Sequence, residues 1–207
     1  LMDFRLTLGS PTTMALTATA TPRVQEDILK QLGLTKKEVK LFSQGVRRPN
    51  LRLKVIEAYG LEDKTRGLVG LRHQVSGPMI VYFSLIRTLE ECSEQLQKLG
   101  LCHTLYHGGR NAGQRRSHQE QFFSDPQGMM LATPAFGLGI DKRDVRAVIH
   151  MEIPGSLEAY FQEIGRAGRD GELADAVLFY DEDDVSIQMD FLKWAHPDSE
   201  FLKTVFQ

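Results

Sequence analysis

The feature that most constrains this chain is an alternation. Short apolar runs suited to buried strands are separated by stretches with helical periodicity. Strand–helix–strand repeats build parallel sheets, because each crossover returns the chain to the same end of the sheet, and helices then cover both faces. Met79-Ile80-Val81-Tyr82-Phe83 follows Gly77-Pro78 and is the clearest central strand. Leu89, Cys92, Leu96 and Leu99 then recur at steps of 3 and 4, marking one face of a helix that stops at Gly100. Residues 101–106 read as a strand, 115–123 as a helix, 128–133 and 145–150 as strands, 156–166 as a helix and 174–180 as a last strand. The spacing thus predicts an α/β domain of five strands over residues 51–184.

The first fifty residues differ. Residues 14–18 look like a strand, and Thr21-Pro22 like an N-cap with proline at the first helical position. The helix they open would turn Val24, Ile28, Leu29 and Leu32 inward and stop at Gly33; a strand at 39–43 would follow. One such piece cannot bury both its helix and its sheet faces alone, so residues 1–43 read as the remnant of a preceding domain and 44–50 as a linker. Residues 185–207 read as a helical tail or the start of a following domain, with Phe191, Leu192, Trp194, Phe201, Leu202, Val205 and Phe206 as its apolar positions. The opening Leu1-Met2-Asp3-Phe4-Arg5 has neither a secretory pattern nor an initiator, as expected of a segment of something longer.

Composition excludes some classes. At 42% hydrophobic and 25% charged, the 207 residues are too apolar for a disordered chain. No run approaches the roughly 18 apolar residues of a membrane span, so no membrane partner is expected. The net charge of −2 hides a gradient: +5 over residues 1–60, +1 over 61–169 and −8 over 170–207. A basic groove for an anionic partner is therefore allowed but not required. Cys92 and Cys102 cannot form a disulfide scaffold or a four-thiolate zinc site, and read as buried reduced thiols.

The densest chemical signal is Gln162-Glu163-Ile164-Gly165-Arg166-Ala167-Gly168-Arg169-Asp170-Gly171. Two arginines three apart end a helix among glycines, which permit close backbone approach, and a guanidinium fork matches phosphate oxygens. Such a pair suits an arginine finger, a cation aimed at a γ-phosphate and worth about 10³–10⁵ in rate. On spacing alone it suits surface ion pairs to Glu163 or Asp170 equally well. Residues 131–142 leave a strand end with small residues, where open α/β sheets bind ligands, though a tight strand-to-helix turn explains them too. Asp181-Glu182-Asp183-Asp184 after an apolar run imitates a Mg²⁺-binding strand end.

Taken together and in order, Ala15-Leu16-Thr17-Ala18-Thr19-Ala20-Thr21, Arg48-Pro49-Asn50, Ile80-Val81-Tyr82-Phe83, Tyr106-His107-Gly108-Gly109 and the 131–142 and 162–171 segments resemble superfamily 2 helicases. The closest likeness is to the RecQ family of DNA helicases. It runs from about residue 12 to 184 and separates the chain from DEAD-box RNA helicases, which usually open the last motif with histidine. The resemblance implies a RecA-like (P-loop NTPase-type) three-layer α/β domain with a mainly parallel sheet, the second such domain of its protein. It implies Arg169 as the arginine finger and Arg166 as its partner, with Gln162, Gly139 and Asp141 near ATP. It also implies Ser84, Arg87, His107, Gly108, Arg115 and Thr133 toward DNA.

The implied partners are single-stranded or duplex DNA and the preceding RecA-like domain, which would hold most of the ATP and Mg²⁺. The implied direction is 3′-to-5′, in DNA repair and recombination. The location would be cytoplasmic and nucleoid-associated in a bacterium, or nuclear in a eukaryote. The chain departs from the family pattern in three places: Ser84-Leu85-Ile86-Arg87 stands for an Asn-Ser-Arg-like sequence, Pro134 for a β-branched residue, and Gly108-Gly109-Arg110 for Ala-Gly-Leu. No Gly-x-x-x-x-Gly-Lys-Ser/Thr occurs, so the chain alone is expected to be inactive. The family's four zinc-binding cysteines do not occur in 185–207, so no zinc is expected in this chain. An RNA helicase of superfamily 2 and an inert nucleic-acid-binding or partner-docking module are the alternatives.

Overall fold

The computed structural model describes residues 1–17, 21–42, 47–137 and 141–195. The chain divides into two compact units, Leu1–Arg48 and Pro49–Gln207. In the first, α1 (Met2–Thr7) precedes α2 (Pro22–Leu32). Helix α2 begins as expected: the Thr21 side chain accepts the Val24 N–H at 3.4 Å, and Pro22 stands where no N–H is needed. It ends on Gly33 at φ +66, a left-handed conformation that only glycine adopts without strain. Three expectations fail here. Among the described residues, 14–17 and 39–42 form no strand, and Val24, Ile28, Leu29 and Leu32 are not buried. A strand needs a ladder partner for its N–H and C=O groups, and an apolar stripe needs a facing layer; this unit supplies neither.

The second unit contains β1 (Leu51–Glu57), α3 (Gly60–Gln74), β2 (Met79–Tyr82), α4 (Ile86–Lys98), β3 (Thr104–Tyr106), α5 (Ala112–Ser124), β4 (Met129–Ala132), β5 (Ala147–His150), α6 (Leu157–Ile164), β6 (Ala174–Tyr180) and α7 (Asp184–Ala195). Six strands, not five, form one sheet in the order β1-β6-β5-β2-β4-β3, every pair parallel. One face carries Met79, Val81, Leu131, Ile149 and Val177 against Leu68, Leu71, Leu89 and Leu96 of α3 and α4. The other carries Ile80, Met130, Val148 and Ala176 against Phe122 of α5 and Ile164 of α6. Strands β2, β4 and β5 are wholly buried, which is why their runs are continuously apolar rather than alternating.

Helix α3 has no counterpart among the expected elements: two glycines, Gly67 and Gly70, stand in its interior, where each costs about 1 kcal/mol. Packing outweighs that cost: a Cβ on Gly67 would lie 2.6 Å from Cε1 of the fully buried Phe179. Helix α5 starts three residues earlier than expected because Asn111 and Gln114 exchange side-chain-to-backbone bonds in a capping box. Of the two thiols only Cys92 is buried; Cys102 is exposed. Helix α7 carries Phe191, Leu192 and an exposed Trp194, while Phe201, Leu202, Val205 and Phe206 lie outside the described residues.

Since every strand runs the same way, Ser84, His107, Thr133 and Glu152 emerge after β2, β3, β4 and β5 at one edge of the sheet. Asn50 and Val145, which precede β1 and β5, lie at the opposite edge.

Candidate nucleotide and nucleic-acid site

Arg166 and Arg169 follow α6, whose N-cap Ser156 accepts the Ala159 N–H at 3.0 Å. Helix α6 is pinned to β5 by a buried pair, His150 Nε2 donating to Glu163 Oε2 at 2.8 Å. The His150 ring stacks on Tyr82, at 5.5 Å and 24°. The chain then turns through residues 165–172, with Gly168 at φ +58 and Gly171 at φ +90. The Gly168 N–H donates to the Val145 carbonyl at 2.9 Å and the Asp170 N–H to that of Arg143 at 3.3 Å. Asn50 Nδ2 donates to the carbonyls of Gly168 and Glu172, both at 2.8 Å. Arg146 pairs with the Asp170 carboxylate.

The two arginines are placed differently. Arg166 Nη1 donates to the Gly137 carbonyl at 2.6 Å, and a Cβ on Gly137 would lie 2.6 Å from Arg166 Nη2. Arg166 is thereby inserted into the loop that leaves β4, and Gly137 is required by contact. Arg169 Nη1 lies 3.2 Å from Asp141 Oδ1; the two side chains are 33% and 72% exposed. An ion pair this exposed contributes only about 0–1 kcal/mol and is readily exchanged for another anion. Gln162 is exposed on α6. The expected ion pairs of these arginines to Glu163 or Asp170 are not the ones formed: Glu163 holds His150 and Asp170 holds Arg146. Gly139 lies outside the described residues.

At the other edge, a cavity of about 40 Å³ is lined by Tyr82, Ser84, Pro134, His150, Glu152 and Glu163, among others. The Ser84 N–H donates to Glu152 Oε2 at 2.9 Å, and the Thr88 hydroxyl to Glu152 Oε1 at 2.6 Å. Burial pushes the Glu152 carboxyl above the usual carboxylate range despite these two bonds. Gln188 of α7 donates to Ser84 Oγ at 3.2 Å. Arg87 is exposed, its side chain at 80%. Thr133 is buried and donates its N–H to the Tyr106 carbonyl at 3.1 Å. His107 is only 1% exposed, held beneath the exposed Gly108 by Arg110, whose Nε donates to His107 Nε2 at 3.2 Å. Burial, then the nearby Arg110 cation, lower its pKa, which keeps the ring neutral. Arg115 Nη1 donates to the Arg110 carbonyl at 2.6 Å, so this arginine braces the turn. The acidic run after β6 is also occupied. Asp181 Oδ2 accepts the Gly60 N–H at 2.7 Å, and Asp184 pairs with buried Lys64 at 2.7 Å.

Sequence reading thus found both arginines and the strand ends; the structure mounts the 165–172 turn on the residues before β5, while the Arg166 side chain reaches back to Gly137 in the loop that leaves β4. That reading quoted Arg48-Pro49-Asn50 as a segment of the resemblance but gave Asn50 no role beyond the linker, and it missed the His150–Glu163 pair. The only trace of either was a polar residue directly beside a buried strand or inside an apolar helix face.

The profile of the helicase conserved C-terminal domain matches residues 62–171. The ATP-dependent DNA helicase RecQ of Bacillus subtilis is 40% identical over 89% of this chain, which covers 31% of that protein. The RecQ-like DNA helicase BLM of Xenopus laevis is 40% identical over 84% of this chain, which covers 13% of it. Among solved structures, S. cerevisiae Dbp5 bound to RNA and ADP BeF3 shares the fold, with TM-score 0.69 and 18% identity over 95% of this chain and 52% of that one. The chain belongs to the helicase conserved C-terminal domain family, in its RecQ branch, and spans less than a third of the two relatives it was aligned with. Among the described residues no helix is long and apolar enough to cross a membrane.

Proposed function

We propose that this chain is the second RecA-like domain of an ATP-dependent DNA helicase and supplies that enzyme's arginine finger, Arg169. The observation that carries the reading is the contrast between its two arginines. Arg166 is inserted into the fold on the Gly137 carbonyl, whereas Arg169 stands on a braced turn, donates to the Gly165 carbonyl at 3.4 Å and pairs at 3.2 Å with the exposed, exchangeable Asp141 carboxylate. A cation placed in this way stabilises charge that builds up on a transferring phosphoryl group. Arg166 then positions the 134–142 loop, and Gln162, Gly139 and Asp141 lie toward the nucleotide.

ATP and Mg²⁺ are held mainly by a preceding RecA-like domain, of which residues 1–43 are the end, joined through 44–50. The carboxylates of Asp181 and Asp184 are engaged with Gly60 and Lys64, which fits no metal role for them. Residues 185–207 are a helical tail or the start of a following domain. The opposite edge contacts the DNA strand through Ser84, Arg87, Gly108 and the Thr133 loop, while His107 and Arg115 shape the turn that carries Gly108. DNA is preferred to RNA because the relatives near 40% identity are named DNA helicases, whereas the RNA-bound neighbour is 18% identical.

The test is ATP hydrolysis by the full-length protein with and without single-stranded DNA. Arg169→Ala is expected to lower the stimulated rate by about 10³-fold or more and to leave single-stranded DNA binding within a few fold. A variant that hydrolyses ATP like the wild type removes the finger assignment.

A further inference from the structure

We propose that Asn50 is the positioning residue of the Arg169 turn, an inference that rests on the reading of Arg169 as the finger. A primary amide has two N–H donors on one nitrogen. Asn50 uses that nitrogen to hold the Gly168 and Glu172 carbonyls, each at 2.8 Å, from more than a hundred residues away in sequence. Its own carbonyl accepts the Ala174 N–H at 2.9 Å, so the residue is tied to the turn and to the strand that follows it. Register then locks the frame: Leu51 is paired with Ala174 at the start of β1 and β6.

The fit is close on the other side as well. A Cβ on Gly168 would lie 2.7 Å from Asn50 Nδ2 and 2.7 Å from the Glu172 carbonyl, and Gly168 sits at φ +58. The residue beside Arg169 therefore has no Cβ because the Asn50 amide occupies that space. The bridged carbonyls flank Arg169, one residue before it and three after, so the amide sets the direction from which the guanidinium leaves the turn. Catalytic groups displaced by about 1 Å lose on the order of 10²-fold in rate. Asn50 touches no substrate in this arrangement and acts only through Arg169.

The experiment uses the full-length protein and DNA-stimulated steady-state ATP hydrolysis. Asn50→Ala removes both donors; Asn50→Asp keeps the size and sets a carboxylate against two carbonyls. Both are expected to lower kcat about 10- to 100-fold, Asp more than Ala, with KM for ATP and single-stranded DNA binding within about twofold of wild type. The deciding measurement is the pair with Arg169→Ala. If Asn50 works through the finger, Asn50→Asp adds no loss on that background, whereas a merely structural role adds its full effect. Wild-type kcat in both single variants, or additive loss in the double, overturns the proposal. Should one variant fail to bind DNA, the other carries the cycle; failure of both assigns Asn50 to the scaffold and equally overturns it. Wild-type hydrolysis by Arg169→Ala alone instead sinks the finger reading.

Discussion

The two edges of the sheet are held in place by different chemistry. At the edge that carries Arg169, the turn 165–172 is fixed mostly by bonds to backbone, Asn50 to two carbonyls, Gly168 to Val145 and the Arg166 guanidinium to Gly137, with one ion pair, Arg146 to Asp170. At the opposite edge, the residues after the strands rest on buried ionisable groups: Glu152 under Ser84 and Thr88, Lys64 with Asp184, His107 beneath its turn. Backbone bonding fixes geometry independently of pH and salt. Buried charge makes a region's stability depend on protonation. The comparison teaches that a mount built mainly on backbone bonds carries Arg169, while a titratable platform carries the loops after β2, β3 and β5.

Four variants break or sharpen this contrast beyond the Arg169 and Asn50 tests, and the largest stability effect falls on the charged edge. Asp184→Asn leaves Lys64 buried at 4% exposure without its counter-charge and is expected to cost about 3–5 kcal/mol in urea unfolding of the chain. The paired change Lys64→Met with Asp184→Leu is expected to recover most of it, as apolar replacements of buried pairs often do. A smaller loss follows at the other edge. Gly168→Ala places a side chain at φ +58 against Asn50 and is expected to cost roughly 2–3 kcal/mol, equally at pH 5 and pH 8. A pH-dependent cost at that position would break the contrast.

Glu152→Gln has the smallest effect and the most specific signature. Burial raises the Glu152 pKa above its ordinary 4.5, so the folded state binds a proton that the unfolded state releases. That contribution favours folding below about pH 4.5 and is lost as the pH rises through the raised folded value. The Gln variant should lose this downward slope in urea midpoint, while its amide oxygen keeps the Ser84 N–H bond and its amide N–H faces the Thr88 hydroxyl oxygen. An unchanged slope would place the titratable support elsewhere.

Much of the fold was legible because apolar runs and turn residues are local signals. The run at 79–83 became β2, residues 174–180 became β6, and Thr21-Pro22 with Gly33 bounded α2. Helix α3 was not legible, since Gly67 is explained only by Phe179, more than a hundred residues away. The same holds for the site. Both arginines stood out by spacing, but that Arg166 is inserted on Gly137 did not, and Asn50, quoted within Arg48-Pro49-Asn50, had no legible role because its partners follow more than a hundred residues later.

By itself, then, the order of apolar runs, glycines and paired arginines determined a parallel α/β domain with a cationic turn after the helix that follows its 145–150 strand, because these are properties of neighbouring residues. Tertiary structure alone decided that the 165–172 turn is mounted on the residues before β5, that Arg166 reaches the loop leaving β4, and that the Asn50 amide bridges the carbonyls flanking Arg169. Those outcomes depend on hydrogen bonds and close contacts between residues far apart in the chain, and only the packed sheet brings them within reach of one another.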